Sequence, residues 1–415
     1  MTDELHLVIS PHTMLKPLLW VGGALSLTLT LSTSAVAQSM AAAPDGTGTI
    51  ITIDGNTYRI QGGTQAGANL FHSFQTLGLS SGEIANFLSN PSITNILGRV
   101  TGGDPSMING LIKVTGANSN LYLMNPAGFV FGKGASLNVG GDFVATTSDR
   151  IGFENGWFNA TGTNDYADLV GAPSQFAFLN QQPGAILNFG DLTTEQNVSL
   201  VGGMVINQGK VVSTAGHVTL AAVPAERLVR VSQPGMLLSL ELPATVIESD
   251  ISPLDLPTLL TGLGTTLAAS NSFNPGDLIV DGEIAGQHID LYAAGKVTPT
   301  DTNLIQGDTR VVRFSVTGEN PDQAVFIDAR ADTPQDLLYG AAAGTVSQII
   351  RPDAEGITVI TEQLTEISDA MGELDSVAIV AEGNQGNFWL GNQWLRAETI
   401  GDYAAQLQTW GSGVN

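Results

Sequence analysis

Few residues in this chain stand at spacings that chemistry uses. Gly78-Leu-Ser-Ser-Gly82 matches the nucleophile elbow of hydrolases, where a serine rides a strand-to-helix turn and an Asp and a His follow in an α/β sheet. Here it lies among short strand patterns with no helical pattern behind it, so catalysis is not expected. The segment 128–134 approaches a phosphate loop, but Ala127 holds the first glycine position and Gly134 replaces the hydroxyl residue that would meet Mg²⁺. The five histidines, His6, His12, His72, His217 and His288, are scattered, and none has a partner at metal-ligand spacing. His72, between Phe71 and Phe74, reads as a buried structural residue. Trp157-Phe158 and the pair Trp389 and Trp394 offer rings on which a sugar would stack, although core or turn packing is the better reading. No Gly-Gly-x-Gly-x-Asp repeat points to calcium. No cofactor and no metal are expected.

Composition narrows the classes further. The 415 residues include 49 glycines, with 43% apolar and only 13% charged residues, which is turn-rich but too apolar for a disordered polymer. The net charge of −24 comes from 39 acidic against 15 basic residues and argues against nucleic acid and against anionic membrane surfaces. Such charge also keeps an extended β protein from stacking on its copies. Absence of cysteine excludes disulfides, thiolate metal sites and a cysteine nucleophile.

The amino terminus reads as an export signal over 1–37. An apolar run at 18–31 precedes the small-x-small site Ala35-Val36-Ala37, with cleavage before Gln38. The run is too short for a membrane span, and none is expected in the mature chain. Asp3 and Glu4 stand where a basic flank is expected, whereas a start at Met14 places Lys16 directly before the apolar core.

The elements that position these residues follow from rhythm. Asn118-Ser-Asn-Leu-Tyr-Leu-Met-Asn-Pro-Ala-Gly-Phe-Val-Phe-Gly alternates short apolar strands with Gly, Asn and Pro turns, the pattern of a chain wound into a β-solenoid. Residues 49–60 read as a hairpin around Asp54-Gly55-Asn56. The polar, aromatic-bearing stretch 152–168 reads as a loop on one face. Ile186-Leu-Asn-Phe-Gly-Asp-Leu matches Val205-Ile-Asn-Gln-Gly-Lys-Val, and Asn197-Val-Ser-Leu matches His217-Val-Thr-Leu, at offsets of about 19–20 residues, one coil of three short strands. Asn188 and Asn207 are thus expected to stack in one turn column. A third copy follows at 279–294. Residues 243–277 break the period and read as a linker or insertion with one short helix at 254–262, and 278–320 as further coils. From about 321 to 415 the order is β-α-β, with one helix face marked by Ile357, Ile360, Leu364, Ile367 and Met371. Thr399 to Asp402 has capping-box spacing.

The block 71–151 resembles the haemagglutination-activity domain of filamentous-haemagglutinin-like exoproteins of the two-partner secretion family, most of all its cyanobacterial members. The resemblance is carried by Asn69-Leu-Phe-His-Ser-Phe, Ile93-Thr-Asn-Ile-Leu-Gly-Arg-Val-Thr-Gly-Gly, Gly110-Leu-Ile and residues 121–141, and the repeats extend it to about Val231. It implies a right-handed parallel β-helix read by a dedicated outer-membrane pore with POTRA domains. The family's Asn-Pro-Asn-Gly-Ile turn stands here as Asn125-Pro126-Ala127-Gly128-Phe129, and its Asn-Pro-Asn-Leu motif is missing. The tail 324–410 resembles a caspase-like domain of unknown function from giant bacterial surface proteins, carried by Phe326-Ile-Asp, Gly356-Ile-Thr-Val-Ile-Thr-Glu and Leu390-Gly-Asn-Gln-Trp-Leu. Where that family has Ser-His-Gly this chain has Ala381-Glu382-Gly383, and it stops before the Cys, so no Cys–His pair forms.

The expectation is a mainly β protein, a parallel β-helix over 38–242 with coils resuming at 278–320, followed by a small incomplete α/β domain. Its role is that of a non-enzymatic secreted or surface-exposed adhesin module, passing through the periplasm to the pore, with cell-surface or matrix glycans as further partners. The recognition turn is placed at Asn125, Pro126, Gly128 and Phe129, with Phe71, His72 and Phe74 as a second contact. The alternatives are a structural remnant of a larger adhesin and a polysaccharide-active β-helix enzyme. The enzyme would need Asp grouped with Arg or Lys on successive coils, a grouping the sequence does not display.

Overall fold

A computed structural model describes residues 39–223, 227–230, 239–241, 274–315 and 319–411. The signal segment with Ala35, Ala37 and Gln38, and the short helix at 254–262, lie outside the described residues.

Short strands whose alternate residues are apolar stack in parallel, coil upon coil, in three columns. One column runs through Asn69–Leu77, Asn95–Val100, Asn120–Met124, Phe143–Thr146, Val198–Gly202, His217–Ala222, Glu283–Ala293 and Ile305–Arg313. A second runs from Ser106–Ile108 through Phe129–Phe131, Ala185–Asn188, Met204–Asn207 and Leu278–Val280 to Val297–Pro299. The third joins Thr57–Gly62, Ile84–Leu88, Leu111–Thr115, Ser136–Asn138, Asp191–Thr194 and Lys210–Ser213 to the start of Glu283–Ala293. This is the parallel β-helix that the rhythm predicts. Leu121, Leu123, Phe129, Phe131, Val198 and Leu200 point inward and form one continuous core, each contributing roughly 1.5–3 kcal/mol by leaving water.

The first column is buried on its outer face as well, which is why Phe143–Thr146 reads as an unbroken buried run. Phe71, Leu97, Met124 and Val144 pack outward under an antiparallel sheet of Arg150–Gly152, Trp157–Asn159, Gln175–Phe178, Arg227–Arg230 and Ser239–Glu241. The stretch 152–168, expected as a loop, therefore supplies a strand of this sheet and its turn. Phe153 and Phe158 sink into the core beneath, because aromatic payload of that size outweighs the polar residues between.

Further along the same face the α/β part takes over the cover. Gln323–Asp328 lies between Thr345–Ile350 and Ser376–Val380, parallel to both, and Gly356–Met371 buries Ile357, Ile360, Leu364 and Ile367, as the helical spacing predicts. Thr345–Ile350 also pairs antiparallel with Ile305–Arg313, so the α/β sheet continues the solenoid column directly. The capping box at Thr399 does not form. Its Oγ1 accepts from the Arg396 N–H at 3.2 Å, and Ile400–Tyr403 winds as a 3₁₀ turn before Ala404–Trp410. Among the described residues no helix is long and apolar enough to cross a membrane.

The corners hold the register between coils. Asn188 and Asn207 face each other 19 residues apart, and the Asn188 amide donates to Asn207 Oδ1 at 2.8 Å and to the Lys210 carbonyl at 3.0 Å. Asn188 Oδ1 accepts from the Gly190 N–H, and the Asn207 amide donates to the Glu283 carbonyl at 3.2 Å. Both side chains are fully buried, so each is locked to the coil above it. Asn188→Ala strands three polar partners in the interior and is expected to cost about 1–3 kcal/mol, read as a lowered midpoint in urea unfolding with an unchanged slope.

Candidate functional site

Corner residues 125–129 are built from the inside. Asn125 is buried, and its amide donates to the Asp104 carbonyl at 3.0 Å and to Ser106 Oγ at 2.9 Å. Its Oδ1 accepts from the Ala127 N–H, and its carbonyl accepts from the Gly128 N–H, both at 3.0 Å. Gly128 has φ +116°, a conformation that L side chains rarely adopt. Phe129 is buried and stacks on Phe131 at 5.7 Å. Of the predicted recognition residues only Pro126 is half exposed, beside half-exposed Ala127.

Strand Asn69–Leu77 divides its aromatic residues between two cores by simple alternation. Phe71 faces outward and packs on Phe158, Tyr166 and Phe153 at 4.9, 5.2 and 5.9 Å. His72 and Phe74 face inward against Phe87. Gly98, in register with His72, leaves the room they need, since a Cβ there would stand 3.0 Å from Phe74 Cε2. All three predicted residues are wholly buried. Among the described residues neither His72 nitrogen has a hydrogen-bond partner, and burial pulls its pKa down to about 4.

Two interactions at this end escape sequence reading. Asn95 donates to Asn69 Oδ1 at 2.8 Å and Asn120 donates to Asn95 Oδ1 at 2.9 Å, while Asn69 ties back to the Leu169 and Gly171 carbonyls. The available signal is three asparagines that each open an apolar strand, as Asn69-Leu-Phe, Asn95-Ile-Leu and Asn120-Leu-Tyr. Arg99 is the second. Its buried guanidinium donates to Ser73 Oγ at 3.0 Å, to Asp45 Oδ2 at 2.8 Å, and to the Asn159 and Gly162 carbonyls at 2.7 and 2.9 Å. Burial works against the Asp45 charge, but hydrogen bonds from Ser73, Thr47 and Arg99 prevail and hold its pKa at about 2.

The amino end also carries an open strand edge. Met40–Ala42 covers Asn69–Leu77 antiparallel, and Thr49–Asp54 forms the predicted hairpin with Thr57–Gly62. Among the described residues Thr49–Asp54 pairs with no other strand. Ile50 and Ile53 on it are 51% and 56% exposed.

The histidines are not all scattered in space. His217 and His288 stand in register on adjacent coils, their rings stacked at 4.8 Å and 15°. Asp290, two residues beyond His288, accepts from Arg310 Nε at 2.9 Å, and the Arg310 Nη1 reaches Gln363 at 2.6 Å and Glu366 at 3.0 Å on the helix. Burial opposes the Arg310 charge, but Asp290 and Glu366 overcome it, and its pKa rises. Burial lowers the pKa of His217, and His288 and Arg310 add to that. An acidic–basic grouping on successive coils is thus present, contrary to the sequence reading. Asp290 and Arg310 stand 20 residues apart, one coil of the period, whereas the His217–His288 pairing was hidden because the 223–277 stretch separates strands that stack directly.

The remaining chemical patterns resolve into packing. Ser80 N–H donates to Glu83 Oε2 at 2.6 Å in a turn that leads into strand Ile84–Leu88, not into a helix. Residues 129–131 of the phosphate-loop pattern are a coil strand, and the Gly134 N–H donates to Asn109 Oδ1. Trp389 and Trp394 pair across a hairpin at 5.0 Å with Arg330 over Trp389, and Arg150 lies over Trp157 at 4.3 Å. Buried Asp328 binds Arg330 and the Gly391 N–H.

Comparison with known proteins adds the following. Residues 37–248 match the sequence model of the TPS secretion domain, and residues 324–415 match that of a domain of unknown function, DUF4347. A heme/hemopexin-binding protein of Haemophilus influenzae is 38% identical over 118 residues, which make up 28% of this chain and only 12% of that protein. The HMW1 secretion domain of Haemophilus influenzae aligns with 70% of this chain and 62% of its own at 19% identity and a TM-score of 0.39. A filamentous haemagglutinin secretion domain aligns with 70% and 86% at 16% identity and a TM-score of 0.41.

Two outcomes follow from the buried polar groups. Asn125→Ala is expected to lower stability by about 1–3 kcal/mol and Pro126→Ala to leave it within about 0.5 kcal/mol, both by urea unfolding. For His72 the native pKa of about 4 lies below the ordinary 6.5, so the unfolded state takes up the proton first. Its contribution is full above about pH 6.5 and is lost as pH falls towards 4, by about 3 kcal/mol in all. His72→Leu is expected to flatten that part of the stability–pH profile.

Proposed function

The chain belongs to the TPS secretion-domain family and is a two-partner secretion exoprotein, and from that premise we propose that its β-helix is handed to an outer-membrane transporter through the open amino-terminal edge of the coil. The observation that carries this reading is the strand Thr49–Asp54, paired on one side only among the described residues and bearing exposed Ile50 and Ile53. An unpaired edge with apolar side chains is the template on which an extended segment adds as a further strand. We assign that segment to the transporter's periplasmic POTRA domains. Backbone bonds supply the affinity there, and Ile50 and Ile53 supply the side-chain contacts.

The corner and the first strand serve the same end from within. Asn125, Gly128 and Phe129 fix the shape of the turn, and Pro126 with Ala127 is the part a transporter can touch. Phe71, His72 and Phe74 set the first coil on which the edge strand rests. Residues 1–37 act as the export signal, cleaved before Gln38, in keeping with a family match that begins at residue 37. Outside the cell the stacked coils present a long acidic surface, and its role is adhesion to cell-surface or matrix glycans, without catalysis.

In a hairpin with a two-residue turn the flanking pair Asp54 and Thr57 is hydrogen-bonded, and alternation leaves the N–H groups of Ile51 and Ile53 pointing away from the partner strand. Ile53→Pro therefore removes one outward donor and no hairpin bond. Export of this variant, measured in a strain carrying the transporter, is expected to fall several-fold while the melting curve of the purified chain is unchanged. Full export with normal folding would show that the edge is not read.

A further inference from the structure

We propose that His217 and His288 form a clamp for a first-row transition-metal cation, Zn²⁺ or Cu²⁺, on the outside of the solenoid where it meets the α/β part. The register places His217, His288 and Asp308 in one column on three successive strands, His217 opposite His288 and His288 opposite Asp308. The two imidazoles already lie one above the other with centroids 4.8 Å apart. Each nitrogen's lone pair lies in its ring plane, so one ring must swing until the two planes converge before both nitrogens meet a cation at about 2.0–2.1 Å. His288 is exposed and has the freedom to swing, while His217 Nδ1 is shut off from solvent with no hydrogen-bond partner among the described residues.

The surroundings suit a cation. The rings open on a polar cavity of about 220 Å³ lined also by Asp290, Asp308, Arg310, Gln348 and Glu366. Of the three carboxylates there, Asp290 and Glu366 hold the Arg310 guanidinium, which also reaches Gln363. The Arg310 charge still acts on His217, but Asp290 and Glu366 act on it in the opposite direction. Arg351 reaches Asp308 at 3.3 Å from an exposed position, so it competes weakly. Gln348 Oε1 is buried and without a partner beside the same cavity. Among the described residues no three His, Asp or Glu donors converge on one point. The clamp is therefore bidentate, with water in the remaining positions, and imidazole donors select borderline metals over Mg²⁺.

Calorimetric titration of the purified full chain with Zn²⁺, Cu²⁺ and Mg²⁺ tests this. One equivalent of Zn²⁺ or Cu²⁺ and no Mg²⁺ is expected, with affinity falling at least about tenfold in His288→Ala. His288 is exposed, so the variant should melt as the parent does. Absence of Zn²⁺ and Cu²⁺ uptake by the parent would overturn the assignment. So would uptake that survives unchanged in the folded double variant His217→Ala/His288→Ala.

Discussion

Everything in this molecule rests on the pairing of each coil with the next in one register. Parallel coils are joined by corners, not by tight hairpins, so no turn geometry fixes how one strand sits on another, and a slip of one residue would turn every inward side chain outward. The asparagine contacts supply what the turns do not. Asn69, Asn95 and Asn120 link the early coils, and Asn188 and Asn207 link later ones. All but the half-buried Asn120 are buried amides whose donors and acceptors are met only in the correct register, which makes a misplaced coil costly in the interior. The inward leucines, valines and phenylalanines contribute most of the driving force, but they would tolerate several alignments.

This division explains what was legible in the sequence. The later coils repeat closely, and the stacking of Asn188 on Asn207 follows from the spacing of residues that occupy equivalent corners. The early coils differ more in length, since the first column steps from Ile96 to Leu121, then to Phe143 and only then to Val198, so their ladder does not announce itself as a period. The helix at Gly356–Met371 was legible because its apolar face has one periodicity and one cover. Residues 152–168 were not, because a polar hairpin carrying two buried phenylalanines has the composition of a loop. His217 and His288 were far apart for a different reason: the coil closes over a long excursion of chain, and adjacency across an excursion leaves no local trace. The Arg99 contacts belong with these, since a guanidinium bonded to two distant carbonyls has no sequence signature at all.

The interior of the solenoid is much the same from coil to coil, so the features that distinguish this chain lie at its edges and covers. Among the described residues the amino end has an open strand beside the buried residues of Asn69–Leu77, and the outer face of the first column is covered in turn by an antiparallel sheet and an α/β layer. That layer is fused to the solenoid through Ile305–Arg313 and Thr345–Ile350, and the Arg310 network ties its helix to Asp290 of the coil. The acidic excess over the rest of the surface discourages sideways association of long sheets.

Arg99 adds an order in time. Its partners lie at Asp45 and Ser73 on one side of it in the sequence, and at Asn159 and Gly162 on the other. In a chain that closes its coils from the amino end, the guanidinium meets the first two at once and waits for the last two until some sixty residues more have arrived, the separation from Asn159 being 60. During that interval a charged group sits half-solvated under an unfinished cover, and the amino end stays loose. Arrival of the hairpin seals it. Through Arg99 the antiparallel sheet thus does more than cover a face, since it ties the amino-terminal strands to a hairpin that lies much later in the chain.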